Sequence, residues 1–208
     1  MKPSIDDKVC SLRNKKVLLL RLESRVHKEN RHPINCRPPY ILKYIESLLK
    51  KENDILVNIL DQCITSLSFF EVDRHISQWR PDVVVFDVLT TNLEDSVELC
   101  VRMKQNDTCG DILTFGVGQE VSADIESFRK KYEQFDMLFA GESEIEVVSV
   151  VKQLKSLVTL DEIRHAYEKR SLQNKIWELD GLDELPFPHY DMRAMQKYNF
   201  VYPLQIAR

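Results

Sequence analysis

Asp82-Val83-Val84-Val85-Phe86-Asp87-Val88-Leu89 is apolar at six of its eight positions and never alternates. A strand with one wet face alternates apolar and polar residues. An unbroken apolar run is covered on both faces, as in the centre of a parallel sheet with helices on either side. Arg80-Pro81 stands just before it and closes a helix predicted over 68–79. The same alternation extends in both directions. Upstream, Lys16–Leu22 reads as strand 1 and Ile55–Leu60 as strand 2. Between them, Tyr40, Ile41, Tyr44, Ile45, Leu48 and Leu49 have the spacing of an amphipathic helix over 39–51. Downstream, a helix over 92–106 precedes strand 4, Ile112–Gly118, and a helix over 121–132 precedes strand 5. Strand 5 is Met137-Leu138-Phe139-Ala140-Gly141, and it turns at once into a helix over 143–156.

Five strands alternating with five helices predict an α/β fold, a doubly wound, flavodoxin-like (Rossmann-like) parallel sheet of order 2-1-3-4-5. In that order the switch point lies between strands 1 and 3. Ligands bind outside the carboxyl ends of such strands. The loops after strands 1, 3, 4 and 5 are therefore the candidate binding edge. Residues 1–14 read as a loose polar arm and 15–157 as the α/β domain. Residues 158–208 follow as an extension with a different pattern: Thr159–Glu162 could form a capping box. Tyr167–Ile176 fits a helix or a small hairpin. Leu179–Met192, with Pro186 and Pro188, reads as an extended, packed linker, and Tyr198–Ala207 is strand-like.

The 208 residues are 43% hydrophobic and 30% charged, which suits a soluble globular protein. A net charge of −4 argues against wholesale nucleic-acid binding. No apolar run approaches the ~18 residues that span a bilayer, and the amino terminus lacks the apolar core of a signal peptide. The five cysteines form no C-x-x-C pair, as expected of reduced thiols. Together these features predict a cytoplasmic protein without membrane or nucleic-acid partners.

The edge carries few reactive groups. The loop 23–38 holds Arg25, His27, Lys28, Arg31, His32 and Arg37, which suit an anion or a solvated flap equally. After strand 3, Thr90 and Thr91 could hydrogen-bond a ligand or cap the next helix, and capping is the simpler account. Strand 4 ends in Gly116-Val117-Gly118-Gln119, and strand 5 in Gly141-Glu142-Ser143-Glu144. Of five glycines in the chain, three stand at these two neighbouring strand ends, as expected where a bulky ligand lies close to backbone. Ser143 can cap the following helix, and Glu144 suits its positive end. There is no G-x-G-x-x-G after strand 1, no P-loop and no Ser/His/Asp set. The sequence therefore describes a binding module rather than a complete catalyst. Asp87 stands near the place of a receiver domain's phospho-acceptor. The acidic pair and lysine that such a site needs are replaced by Arg21, Glu23 and Gly141-Glu142. A degenerate, receiver-like regulatory or protein-interaction domain is the alternative class.

Lys16–Leu20, Arg80–Val85, Gly116–Gly118 and Ala140–Glu144, in this order, resemble the amino-terminal cobalamin-binding region of cobalamin-dependent radical S-adenosylmethionine enzymes. Ala140-Gly141-Glu142-Ser143-Glu144 resembles that family's "GEGE" turn. Leu182–Pro188 resembles its linker, and Tyr202–Arg208 the first strand of its radical domain. The resemblance implies cobalamin (vitamin B12) on the carboxyl edge. Leu89, Thr90 and Thr91 would line its nucleotide tail, Gly116, Val117, Gly118 and Gln119 would pass close to the corrin or the nucleotide, and Gly141, Glu142 and Ser143 would close the pocket. It also implies a radical domain after residue 208, with the 4Fe-4S cluster and S-adenosylmethionine bound there and not by this chain. Methyl transfer or a related rearrangement is the implied activity of the whole enzyme. The D-x-H-x-x-G motif is absent, which speaks against a histidine on cobalt.

Overall fold

The computed structural model describes residues 15–23, 37–65, 67–154, 186–188 and 191–198. Five parallel strands form one sheet in the order β2-β1-β3-β4-β5, as the alternation predicts. They are β1 (Lys15–Arg21), β2 (Ile55–Asp61), β3 (Val83–Asp87), β4 (Leu113–Val117) and β5 (Met137–Leu138). β3 is the central strand, and all five of its residues are buried.

Side chains alternate across a strand, so each buried strand feeds two cores. Val17, Leu19, Val83, Val85, Phe115 and Val117 face one layer. That layer holds α1 (Tyr40–Leu49) and, from the far end of the domain, α6 (Glu144–Gln153). Leu18, Leu20, Val84 and Phe86 face the other layer. It contains α2 (Phe69–Trp79), α3 (Leu93–Gln105) and α5 (Ile125–Lys131). The unbroken apolar reading of strands 1 and 3 thus has its physical cause in two covered faces.

Ser68 and Glu71 form a reciprocal capping box that starts α2, and Arg80 ends it in the left-handed region at φ 49°. Several boundaries differ from the sequence reading. The helix predicted over 121–132 is two pieces, α4 (Gln119–Ala123) and α5. Asp124 breaks it by leaving helical geometry and accepting the Ser127 N–H at 3.0 Å, which starts a new helix. Among the described residues β5 pairs with β4 only through Met137 and Leu138, shorter than the predicted strand to Gly141. Tyr198, read as the start of a strand, instead closes a short helix, α7 (Met192–Lys197), capped by Asp191. Phe187 is 88% exposed, so the predicted packed linker is not packed there. The expectations for 1–14, for most of 23–38, for 155–185 and for 199–208 lie outside the described residues. Among the described residues no helix is long and apolar enough to cross a membrane.

Candidate functional site at the carboxyl edge of the sheet

The turn after β3 is organised by a residue that the sequence reading passed over. Asn92 is buried, and its side-chain amide donates to Leu22 O at 3.0 Å and Asp87 O at 2.9 Å. Its carbonyl accepts the Leu89 N–H at 2.8 Å. One side chain therefore stitches the ends of β1 and β3 together at the switch point. Thr90 and Thr91 are exposed, and neither caps α3. The Thr90 hydroxyl donates instead to the Glu120 carboxylate. Leu89 is half-buried beside them.

At the end of β4, Gly116 and Val117 lie buried inside the sheet. A Cβ on Gly116 would stand 2.8 Å from Leu138 Cδ2, so this glycine admits β5. Gly118 has φ +104°, and a Cβ there would stand 2.7 Å from Asp87 Oδ1 and 2.8 Å from Val88 O. The close neighbour that explains Gly118 is thus the end of β3. We expect Gly118→Ala to lower the urea midpoint by an amount equivalent to about 1–3 kcal/mol, from the strained φ and the backbone clash. An unchanged midpoint would show that the turn can relax freely. Gln119 is exposed at the start of α4.

The turn after β5 joins that of β4. Gly141 has φ +73°, and its N–H donates to Ser122 Oγ at 2.9 Å. Ser122 Oγ in turn donates to Gly118 O at 2.9 Å. Glu142 is half-buried. Ser143 stands at the N-cap of α6, yet its side chain caps nothing. Its residue is 0% exposed and its hydroxyl has no hydrogen-bond partner. A buried hydroxyl without a partner is costly, and in a native site it points to a missing polar partner. Glu144 is buried in the first turn of α6. Burial, and then the charge of Glu144, raises the pKa of Glu146.

Beside this edge lies a cluster of buried charges. Arg21 ends β1 and Asp61 ends β2 in direct register. Arg21 Nε and Nη2 reach the two Asp61 oxygens at 2.9 Å and 2.5 Å. The Tyr198 hydroxyl donates to Asp61, and its ring lies 5.9 Å from the Arg21 guanidinium. All three residues are at least 94% buried. Burial alone would lower the Arg21 pKa, but the charge and hydrogen bonds of Asp61 raise it above its ordinary value. Asp87, 4% exposed at the end of β3, is pushed up to about 6. Burial is the main cause; the Arg21 charge opposes it and the Asp61 charge adds to it. The arrangement leaves one cation facing two carboxylates.

The structure thus gathers Leu89, Thr90, Thr91, Gly118, Gln119, Gly141, Glu142 and Ser143 on the turns of one edge, with Gly116 and Val117 beneath in the sheet. The sequence reading did not single out Asp61, although a charge directly after the apolar run Ile55–Leu60 is a signal that could have found it, and nothing in the sequence signals Ser122 or Tyr198. A separate hollow of about 470 Å³ lies at the opposite, amino-terminal edge, lined by Lys15, Arg80, Asp82, Asp111, Val151 and Leu154 among others. Among the described residues no group of three or more His, Cys, Asp or Glu could hold a metal ion.

No protein-family model matches the chain. In an alignment of 172 positions that covers 77% of the chain, it is 25% identical to an uncharacterized methyltransferase of Pyrococcus horikoshii. Its fold is similar to that of the cobalamin-dependent S-adenosylmethionine radical enzyme OxsB with aqua-cobalamin bound, at a TM-score of 0.59 and 21% identity over 73% of the chain. With aqua-cobalamin and S-adenosylmethionine bound, the same enzyme gives a TM-score of 0.58 at 21% identity and the same coverage. The chain spans 35% of the length of the methyltransferase and 20% of the OxsB chains. At this identity the likeness to OxsB shows a shared fold.

Proposed function

We propose that this chain is the cobalamin-binding module of a larger cobalamin-dependent radical S-adenosylmethionine enzyme. The observation that carries the reading is the orphaned, buried Ser143 hydroxyl beside the left-handed Gly141, on the edge where this sheet order places ligands. Cobalamin is rimmed with amide groups, so its polar periphery suits an unpartnered hydroxyl, while its flat body suits turns without side chains. Thr90, Thr91, Gln119 and Glu142 would meet polar atoms of the cofactor, and Leu89 an apolar one. Gly118, Gly141 and Ser143 would bring backbone close, with Gly116 and Val117 supporting them from the sheet. Bound cobalamin supplies group-transfer chemistry at its cobalt. The chain's own residues bind and orient it, and the described ones offer no metal-ligating cluster of their own. The similarity to a methyltransferase favours methyl transfer, or a related rearrangement, as the activity of the whole enzyme. A radical domain in the same polypeptide, carrying the iron–sulfur cluster and S-adenosylmethionine, is the implied partner.

The receiver-like alternative is disfavoured by the setting of Asp87. Its carboxylate is buried behind Gly118 and faces Arg21 and Asp61 rather than an acidic metal pocket. The deciding experiment is simple. Protein mixed with hydroxocobalamin and desalted is expected to stay red-brown with a shifted visible spectrum. Thr91→Trp, an exposed position with space for bulk, is expected to reduce retention at least about tenfold, the equivalent of 1.4 kcal/mol, with an unchanged circular dichroism spectrum. Colourless but folded wild-type protein would overturn the reading.

A further inference from the structure

We infer that Ser122 is the positioning residue of this edge, setting the spacing between the turns after β4 and β5; the inference rests on the cobalamin reading above. The Ser122 hydroxyl donates to Gly118 O and accepts from Gly141 N–H, each at 2.9 Å. It therefore links two turns whose glycines both hold positive φ. The β4–β5 ladder does not reach this far among the described residues, although Gly141 itself takes part in a β-bridge. β4 and β5 pair at Phe115–Met137 and Gly116–Leu138, and the ladder ends among the described residues where Phe139 N–H meets Gly116 O at 2.9 Å. Beyond that ladder the Ser122 hydroxyl links the two turns directly.

The helix that carries Ser122 is itself anchored to the third turn. Glu120 N–H donates to Val88 O at 3.2 Å, and the Glu120 carboxylate accepts the Thr90 hydroxyl. Through α4, the turns after β3, β4 and β5 thus hold one fixed relation. Ser122 is exposed, so water can replace both of its bonds in the unfolded chain and in a variant. Its loss will cost little stability. Its effect lies in geometry, because a large flat ligand needs both turns at one separation. The carboxyl ends of β1 and β3, on the same edge, are joined by Asn92 instead.

The test uses the full chain, hydroxocobalamin as the probe, and Ser122→Ala and Ser122→Thr. In ligand-free protein, Ser122→Ala is expected to speed exchange of the Gly141 amide proton about tenfold, while the urea midpoint stays put. Hydroxocobalamin affinity is expected to fall about tenfold, read from the visible spectrum. Ser122→Thr keeps the hydroxyl and is expected to recover both readouts to within about threefold. Wild-type retention with equally tight binding by Ser122→Ala would overturn the clamp and leave the cobalamin reading intact. So would a loss that threonine does not restore. Folded wild-type protein that retains no cobalamin would overturn both.

Discussion

Asp61→Ala is expected to destabilise the protein by about 3–5 kcal/mol, because it leaves the Arg21 guanidinium buried without the carboxylate that accepts its Nε and Nη2 hydrogen bonds. The substitution removes both prongs of the ion pair and the acceptor of the Tyr198 hydroxyl in one step. Arg21 cannot escape by losing its proton, and its place inside the sheet keeps it from water. The denaturant midpoint followed by circular dichroism measures the effect. Tyr198→Phe removes only a hydroxyl and should cost about 1–2 kcal/mol. Replacing the pair together, Arg21→Met with Asp61→Leu, should restore much of the loss, since a buried ion pair is hard to justify on stability alone. A loss below about 1 kcal/mol for Asp61→Ala would mean that water reaches the cluster.

The same cluster shows where sequence reasoning stops. The sheet order, its two covered faces and the candidate edge were legible because they follow from local pattern. Val83–Phe86 could be read as central from its composition, whereas the capping box of Ser68 and Glu71, which has the right spacing, is found only in the structure. The contents of the edge depend on contacts between distant residues. Arg21 and Asp61 are 40 positions apart and Asp61 and Tyr198 are 137 apart, so no window joins them. Gly118 was read as room for a ligand, but the first atoms to need that room belong to Asp87 and Val88. Ser143 was read as a cap from its residue type. Whether a serine caps depends on its backbone: at φ −97° and ψ 9° it lacks the extended geometry that aims the hydroxyl back at the helix. The break at Asp124 has the same origin. An aspartate inside an apparent helical run can take a neighbouring N–H for itself, and sequence period alone does not reveal it.

Asp87→Asn is expected to stabilise the protein at pH 7.5 and to change little at pH 4. The group has an ordinary carboxyl value of 3.8 when unfolded and about 6 when folded. The folded state thus holds the proton more tightly than the unfolded chain. Its favourable contribution is complete below pH 3.8 and is lost as pH rises through about 6. Above that, the wild type carries a buried negative charge that costs about 3 kcal/mol relative to its neutral form, taking 1.36 kcal/mol per pKa unit. Asparagine keeps the shape and never ionises, so the difference between the two proteins should grow from pH 4 to pH 7 and then level off. Arg21 does not need the lost charge, because Asp61 already accepts from its Nε and Nη2. Paired urea melts across this range measure the difference directly, and titrations shared by both proteins cancel. An Asp87→Asn protein less stable than wild type at pH 7.5 would show that the ionised carboxylate is the form the fold prefers. The second carboxylate would then be a partner of Arg21 in its own right, and the edge would hold a network of three balanced groups instead of an ion pair beside a carboxylate whose charge is penalised by burial.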